Sequence, residues 1–487
     1  MTGETDTWRR YLNKWIQKGT VNVLHPTLNT PSSLKRAMGN TDSVVVQKRL
    51  ARFRPEERPV VEGVFDRLHG MNPVGVAGKA GKVLTLEMLK SCMGNVASDS
   101  MIKRVYTGMC SMDPGVAPPP HGAGVSREQL VVFLADVLRG TAEERAPLIM
   151  AMAAGTGVAT CDQIIEFLRD LVSAVVEIII QKGRLQGWKP QCMGDRAVGG
   201  QLLAEQMSSE LKPSEQPTCD VKCLEDWLFR VPNVAMYMEL LIGEGLNVGL
   251  TSRLPPTLLP PCWETPWDKL RCLLDLPLVM FLTPHLPDGY ATPWRLLFST
   301  QLHGESFTKM VGSCRGCGPT VLLIKDTKGH VFGGYASHSW EVKPQFQGDS
   351  RCLLFSVFPC LRVYTCTGYN QHYMYLNQGQ QTMPNGLGMG GQHGYFGLWL
   401  DSDFGRGHSR ARPRCTTYGS PQMSAEEDFT VDSLEVWGVR KPPEEEEGET
   451  RGKRSILDAD PEAQAMLEMT GKTLHSQGFR EPEEDEG

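Results

Sequence analysis

The stretch that most constrains the fold runs from Pro384 to Asp401: Pro-Asn-Gly-Leu-Gly-Met-Gly-Gly-Gln-His-Gly, then Tyr-Phe-Gly-Leu-Trp-Leu-Asp. Glycine lets a backbone take positive φ or approach a neighbouring strand closely, and the aromatic and aliphatic run after it has the composition of a buried strand. The pattern predicts a glycine-crowded turn leading into a strand at Phe396 to Leu400. It also demands other strands for this one to pair with.

Those strands are legible over the last third of the chain. Trp294-Arg295-Leu296-Leu297-Phe298-Ser299-Thr300 comes first and Gly304-Glu305-Ser306-Phe307 follows. Val321 to Asp326, Val331 to Ser337 and Cys352 to Ser356 come next, and Glu427-Asp428-Phe429 with Leu434-Glu435-Val436-Trp437-Gly438 close the set. In that order these segments resemble the TLDc domain, over about Leu276 to Arg440. The resemblance implies two packed antiparallel sheets with flanking helices, among them one at Ser306 to Val311. It also implies association with the vacuolar proton-pumping ATPase (V-ATPase) and a part in oxidative-stress resistance.

Short runs at turn-separated spacing agree with that architecture. Val321 to Ile324 and His330 to Ala336 flank Asp326-Thr327-Lys328-Gly329, a hairpin loop with glycine at the positive-φ position. Leu353 to Phe358, Leu361 to Thr365, Tyr373 to Leu376 and Leu434 to Val439 continue the series.

Ahead of these strands the periodicity is helical. Val60, Val61, Val64, Phe65 and Leu68 recur at i, i+3, i+4 spacing, as do Leu130, Phe133, Leu134, Val137 and Leu138, and Ile164, Ile165, Leu168, Leu171 and Val172. Three segments echo one another: Gly81 to Glu87, Gly124 to Gln129 and Gly157 to Asp162 each carry a turn, then a β-branched residue, then a Ser or Thr that caps a helix. That is the second half of an EF-hand. The shape is there without the chemistry. If Gly81 is the loop glycine and Glu87 the last ligand, the early ligand positions fall on Val76, Gly78 and Ala80, and no side-chain oxygen faces a calcium ion.

Lys182 to Pro217 reads as a glycine and polar linker, and Arg253 to Pro266 is broken by five prolines. Between them Leu224 to Leu241 predicts helices.

At 487 residues the chain exceeds one ordinary domain, and a formal charge of −6 concentrated in an acidic tail offers no field for nucleic acid. Fourteen dispersed cysteines lack the density of a disulfide scaffold and read as reduced thiols in the cytoplasm. The most apolar run, Phe167 to Ile180, is interrupted by Arg169, Asp170 and Glu177, so no membrane span is expected.

The ends carry two further signals. Met38-Gly39-Asn40-Thr41-Asp42-Ser43 reproduces the N-myristoylation pattern M-G-x-x-x-[ST]. Acylation needs a free α-amine, which Gly39 has only if translation starts at Met38. Lys48, Arg49, Arg52, Arg54 and Arg58 follow as the electrostatic second signal that one acyl chain needs. A glycine in this place is a mark of the lysosome-associated, mTOR-linked (eak-like) branch of the TLDc family. At the other end, Asp460-Pro461 opens a short helix with Ala459, Ala463, Met466, Leu467 and Thr470 on one face, Leu474 a turn further and Gly471 as a stop. Its apolar face suits a groove on a partner.

Candidate chemistry is sparse. Cys314-Arg315-Gly316-Cys317 is the only CxxC, and it follows a predicted helix instead of opening one, as a redox dithiol does. No second pair completes a metal set. His303, Glu305 and Ser306 carry the residue types of a hydrolase without a nucleophile elbow, and His338, His393 and His408 are dispersed. No cofactor site is read.

The expected organisation is α+β and multidomain: an N-terminal extension over 1–44, a degenerate EF-hand-like all-α region over 45–270, and a TLDc β-sandwich over 271–440. An acidic linker over 441–454, the amphipathic helix within 455–478 and an acidic tail over 479–487 complete it. The expected function is non-enzymatic. By its resemblance, the chain is a regulator at the cytosolic face of the lysosomal membrane that binds V-ATPase subunits and mTOR pathway components. The other reading is a thiol-dependent antioxidant enzyme centred on Cys314 and Cys317.

Overall fold

A computed structural model describes residues 44–70, 83–115, 124–155, 157–211, 218–252 and 254–440. They fall into two units: residues up to 262 with 271–291 and 357–363, and residues 263–270, 292–356 and from 364 onward.

The first unit is helical: α1 (Val44–Leu50), α2 (Arg58–Gly70), α3 (Leu86–Met93), α4 (Asp99–Cys110), α5 (Arg127–Arg139), α6 (Ala142–Ala154), α7 (Cys161–Gln181), α8 (Arg196–Ser208), α9 (Val221–Arg230), α10 (Asn233–Gly245) and α11 (Leu276–Leu282). Side-chain caps fix many of the starts. Thr85, Ser98, Ser126, Thr141, Thr160, Asp195, Asp220 and Asp275 each accept a first-turn backbone N–H. Ser126, Thr141 and Thr160 do so within reciprocal capping boxes. Such a cap contributes about 1 kcal/mol. The long α7 is the hub, burying Ile164, Phe167, Leu168, Leu171, Val175 and Ile178 along one wide stripe.

Helix pairs α2–α3, α4–α5, α6–α7 and α8–α9 form four helix–loop–helix units tied two by two. Leu84 and Val125 exchange backbone hydrogen bonds of 2.8 and 2.9 Å. Strands β1 (Ala159–Thr160) and β2 (Thr218–Cys219) pair antiparallel, with Ala159 opposite Cys219. In every unit an apolar bridge residue precedes the cap of the second helix: Leu84-Thr85, Val125-Ser126, Ala159-Thr160 and Cys219-Asp220. The region is EF-hand-like, and it holds a fourth repeat that the three sequence echoes did not include.

The 182–217 stretch is not all linker. It holds a 3₁₀ turn at Pro190–Cys192 and the helix α8. Gly199 and Gly200, which suggest a linker in the sequence, serve a close approach. A Cβ on Gly199 would strike the Asp275 carboxylate, and one on Gly200 would sit 3.8 Å from Val172 of α7.

The strands fall mostly in the second unit: β4 (Trp294–Ser299), β5 (Thr320–Asp326), β6 (Val331–Ala336), β7 (Lys343–Gln347), β8 (Leu353–Phe358), β9 (Arg362–Thr365), β10 (Met374–Asn377), β11 (Gly386–Gln392), β12 (Tyr395–Asp401), β13 (Arg406–His408) and β14 (Asp428–Val439), after a two-residue β3 (Cys262–Trp263). Hydrogen bonding runs in the order β7-β10-β11-β12-β13-β14-β5-β6-β8-β9, with β4 on β14 and no closure into a barrel. Strand β14 links the two halves of this path: its residues 428–430 pair with β13, and 431–438 pair with β5. Side chains from both halves, Leu322, Ile324 and Leu354 with Leu376, Met389 and Leu398 among them, share one core. Helices α12 (Thr300–His303) and α13 (Phe307–Cys314) flank it, and α13 adds Phe307, Met310 and Val311.

Two sequence expectations meet different outcomes here. The Asp326–Gly329 loop is a hairpin turn with Gly329 at φ +93° and the Asp326 carboxylate accepting from the Lys328 and His330 amides. The glycine-crowded turn is instead mostly strand: Gly386–Gln392 is β11, paired with β12, and only His393-Gly394 turns. Glycine marks close contact there, since a Cβ on Gly388 would lie 2.7 Å from the Phe396 ring and 2.9 Å from Trp399.

Candidate interaction sites

The rings that need those glycines form a second cluster, apart from the main core: Tyr375, Phe396 and Trp399, with Phe346 against them. Phe396 and Trp399 stack at 4.5 Å, and Tyr375 of β10 lies 5.6 Å from Phe396. Phe346 of β7 carries the stack outward, 4.1 Å from His372 and 5.3 Å from His393. His408 of β13 stacks on Trp399 at 5.8 Å, and burial holds its pKa down to about 4. Burial, then neighbouring His372, lowers that of His393. His393, stacked on Phe346, is exposed and gives an aromatic and imidazole face suited to recognition, while Tyr395, the strand neighbour of Phe396, is 59% exposed. Alternating Tyr373, Tyr375 and the strand that follows were the available sequence signal; the pairing of β7 with β10, set by a bulged register, was not.

The residues considered for catalysis do not converge. Cys314 is 2% exposed, and its thiol is pushed well up by burial, with Cys317 adding to the effect. The Cys317 thiol donates to the Ser313 carbonyl, so the CxxC ends a helix. Ser306 caps α13 by accepting from the Lys309 amide at 3.3 Å. His303 accepts from the Ser299 amide and stacks on Phe298. His338 Nδ1 meets both Ser337 Oγ, at 2.9 Å, and Asp349, at 3.9 Å, through the same nitrogen, which leaves no base-and-orienter relay. Among the described residues no group of three His, Cys, Asp or Glu side chains is placed to hold a metal ion. None of the described helices is long and apolar enough to cross a membrane.

The basic run after the acylation motif is partly committed inside the fold. Arg49 pairs with Asp136 and Glu144 at 2.7 Å each, and Arg52 also pairs with Glu144. Burial raises Asp136 to about 6, against the pull of Arg49, while the Arg52 hydrogen bond holds Glu144 near 2. Lys48 and Arg54 remain exposed, and Arg58 donates to the Phe53 carbonyl. Gly39, the loop positions Val76, Gly78 and Ala80, and the helix residues Ala463, Met466, Leu467, Thr470 and Leu474 lie outside the described residues.

An open antiparallel sheet with α13 at its entry, preceded by paired helix–loop–helix units, defines a TLDc-domain protein with an EF-hand-like N-terminal region. The TLDc family model matches residues 269–440. The chain is 70% identical to the MTOR-associated protein MEAK7 of Danio rerio over 451 residues, covering 92% of this chain and all of the relative. It is 44% identical to the Homo sapiens protein of that name over 466 residues, with the same coverage. Against oxidation resistance protein 1 of Bos taurus it is 34% identical over 166 residues, which is 33% of this chain and 18% of that one. The chain belongs to the MEAK7 family of TLDc-domain proteins.

Proposed function

We propose that this chain is a non-enzymatic regulator that supports mTOR signalling from the cytosolic face of the lysosomal membrane by binding the V-ATPase. The observation that carries the mTOR link is near-full-length identity to proteins named for that association. A binding role fits the functional groups described above. His303 is spent on a backbone and a ring contact, Cys314 is buried as a thiol, and the Phe346–His393 face is partly exposed.

Pump binding would combine that face with the amphipathic helix of Ala463, Met466, Leu467, Thr470 and Leu474. Attachment would come from an acyl group on Gly39 in a chain begun at Met38. Lys48 and Arg54 would supply the exposed charge, because Arg49 and Arg52 are neutralised by Asp136 and Glu144. The full chain used as bait on detergent-solubilised lysosomes is expected to recover pump subunits and mTOR components. Recovery of neither would overturn the reading.

A thiol-dependent antioxidant role is favoured by one observation, the partial match to oxidation resistance protein 1. Peroxide consumption that disappears in Cys314→Ser with Cys317→Ser would establish it. The burial of Cys314 predicts no such loss.

A further inference from the structure

Cys366 donates its thiol to the Cys352 carbonyl and Cys317 to that of Ser313. Cys161, Cys219 and Cys223 are brought together by the fold of the third and fourth units. The register of β1 against β2 sets Ala159 opposite Cys219, so Cys161, the first residue of α7, enters its helix beside β2. Asp220 caps α9 by accepting from the Cys223 amide at 2.8 Å, which folds the chain so that Cys223 returns over Cys219. The Cys219 thiol lies within hydrogen-bonding reach of both others. It is fully buried, whereas Cys161 and Cys223 are partly exposed.

We propose that Cys161, Cys219 and Cys223 form a peroxide-sensitive modification site that closes an intramolecular disulfide through Cys219. The oxidant is a hydroperoxide. A partly exposed thiol loses its proton and its sulfur attacks the O–O bond, giving a sulfenic acid; with hydrogen peroxide the departing oxygen leaves as water. The Cys219 sulfur then attacks the sulfenic sulfur, the S–O bond breaks, and hydroxide leaves with the Cys219 proton as a second water. Two thiols lose two electrons and one peroxide gains them.

The order follows from surroundings. Burial, reinforced by Cys223, pushes the Cys219 thiol up to about 12, so it waits protonated while an exposed neighbour reacts first. Tying Cys219 to Cys161 spans the β1–β2 pair, and tying it to Cys223 clamps the turn into α9. Only the bond to Cys161 stiffens the link between the third and fourth helix–loop–helix units. The absence of a metal-ready group among the described residues favours oxidation over metal binding for these thiols.

The test is peptide mapping of the reduced full chain after one equivalent of hydrogen peroxide, with free thiols alkylated. The expected product is a disulfide joining Cys219 to Cys161 or Cys223, formed before any other cysteine pair. Cys219→Ser should abolish it and leave a dimedone-reactive sulfenic acid on Cys161 or Cys223. Because Cys219 is buried in the core, Cys161→Ser with Cys223→Ser provides a second arm at partly exposed positions, in which Cys219 should stay reduced. If Cys219 remains alkylatable while exposed Cys110 and Cys360 oxidise, or if it oxidises unchanged in the double variant, the proposal fails.

Discussion

Gly63 of the helical unit and Gly388 of the β unit are glycines used in opposite ways. In α2, a Cβ on Gly63 would meet nothing within 4 Å, so its glycine weakens the helix without serving a contact. In β11, Gly388 lies under two aromatic rings, and in β6 a Cβ on Gly334 would come within 3.1 Å of Leu354 and against Met389. An open helix position such as Gly63 tolerates slack, whereas a sheet face layered with rings, like the tight seat of Gly199 beside Asp275, does not.

Gly388→Val should therefore have the largest effect. It forces β11 off Phe396 and Trp399 and is expected to cost about 3 kcal/mol or more, seen as early urea unfolding and lost hydrogen-exchange protection in β10–β12. An unchanged urea midpoint would show that the ring cluster adapts freely.

Acidification should separate the units further. Asp136 titrates near 6 in the fold against an ordinary value of 3.8, so its contribution is fully present below 3.8 and is lost as pH rises through 6. Buried Asp275, raised to about 7, acts in the same direction, and His285, held near 4 by burial, opposes both. His408, near 4 instead of 6.5, contributes stability above 6.5 that is lost as pH falls towards 4. Between pH 7 and 5, Asp136→Asn should remove a gain from the helical unit and His408→Gln a loss from the β unit. Hydrogen exchange resolved by unit checks this, and parallel pH profiles for the two variants and the parent would contradict it.

Smaller effects come from the helix ends and from slack. Thr160→Ala removes a capping box from α7 and should cost about 1 kcal/mol in urea unfolding. Gly63→Ala should stabilise α2 by about 0.5 to 1 kcal/mol, the reverse of any substitution at Gly388. A destabilising Gly63→Ala would break the contrast. Calorimetric titration of the full chain is expected to show no calcium isotherm at micromolar levels, since Val76, Gly78 and Ala80 offer no side-chain oxygen.

The contrast also explains what the sequence made legible. Helical stripes such as Ile164, Leu168 and Leu171, and caps such as Ser126, are local patterns that folding preserves. So is the Asp326–Gly329 hairpin. Glycines ruled by distant partners are not local. Gly199 and Gly200 read as linker because Asp275 and Val172 are remote in sequence, and Gly386 to Gly391 read as turn because the rings that Gly386, Gly388 and Gly390 accommodate arrive from β12 and from Tyr418. The fourth repeat was hidden because Asp220 stands where the other three carry a Ser or Thr cap. The thiol cluster was hidden for a related reason: Cys161 and Cys219 meet only through the β1–β2 register. The Gly39 motif and the predicted C-terminal helix are readings of the sequence that lie outside the described residues.

That helix gives the most direct test of a binding role. A helix of little more than about ten residues is marginal alone in water, so its apolar face needs a groove. If the groove belongs to the proton pump, a second contact tethered by the acidic linker reinforces the first through effective concentration. Affinity of the full chain for the solubilised V-ATPase should then fall in Met466→Asp with Leu467→Asp while the melting temperature stays at that of the parent. A double variant that melts lower and binds as tightly as the parent would place the helix in the chain's own core and contradict the two-contact mechanism.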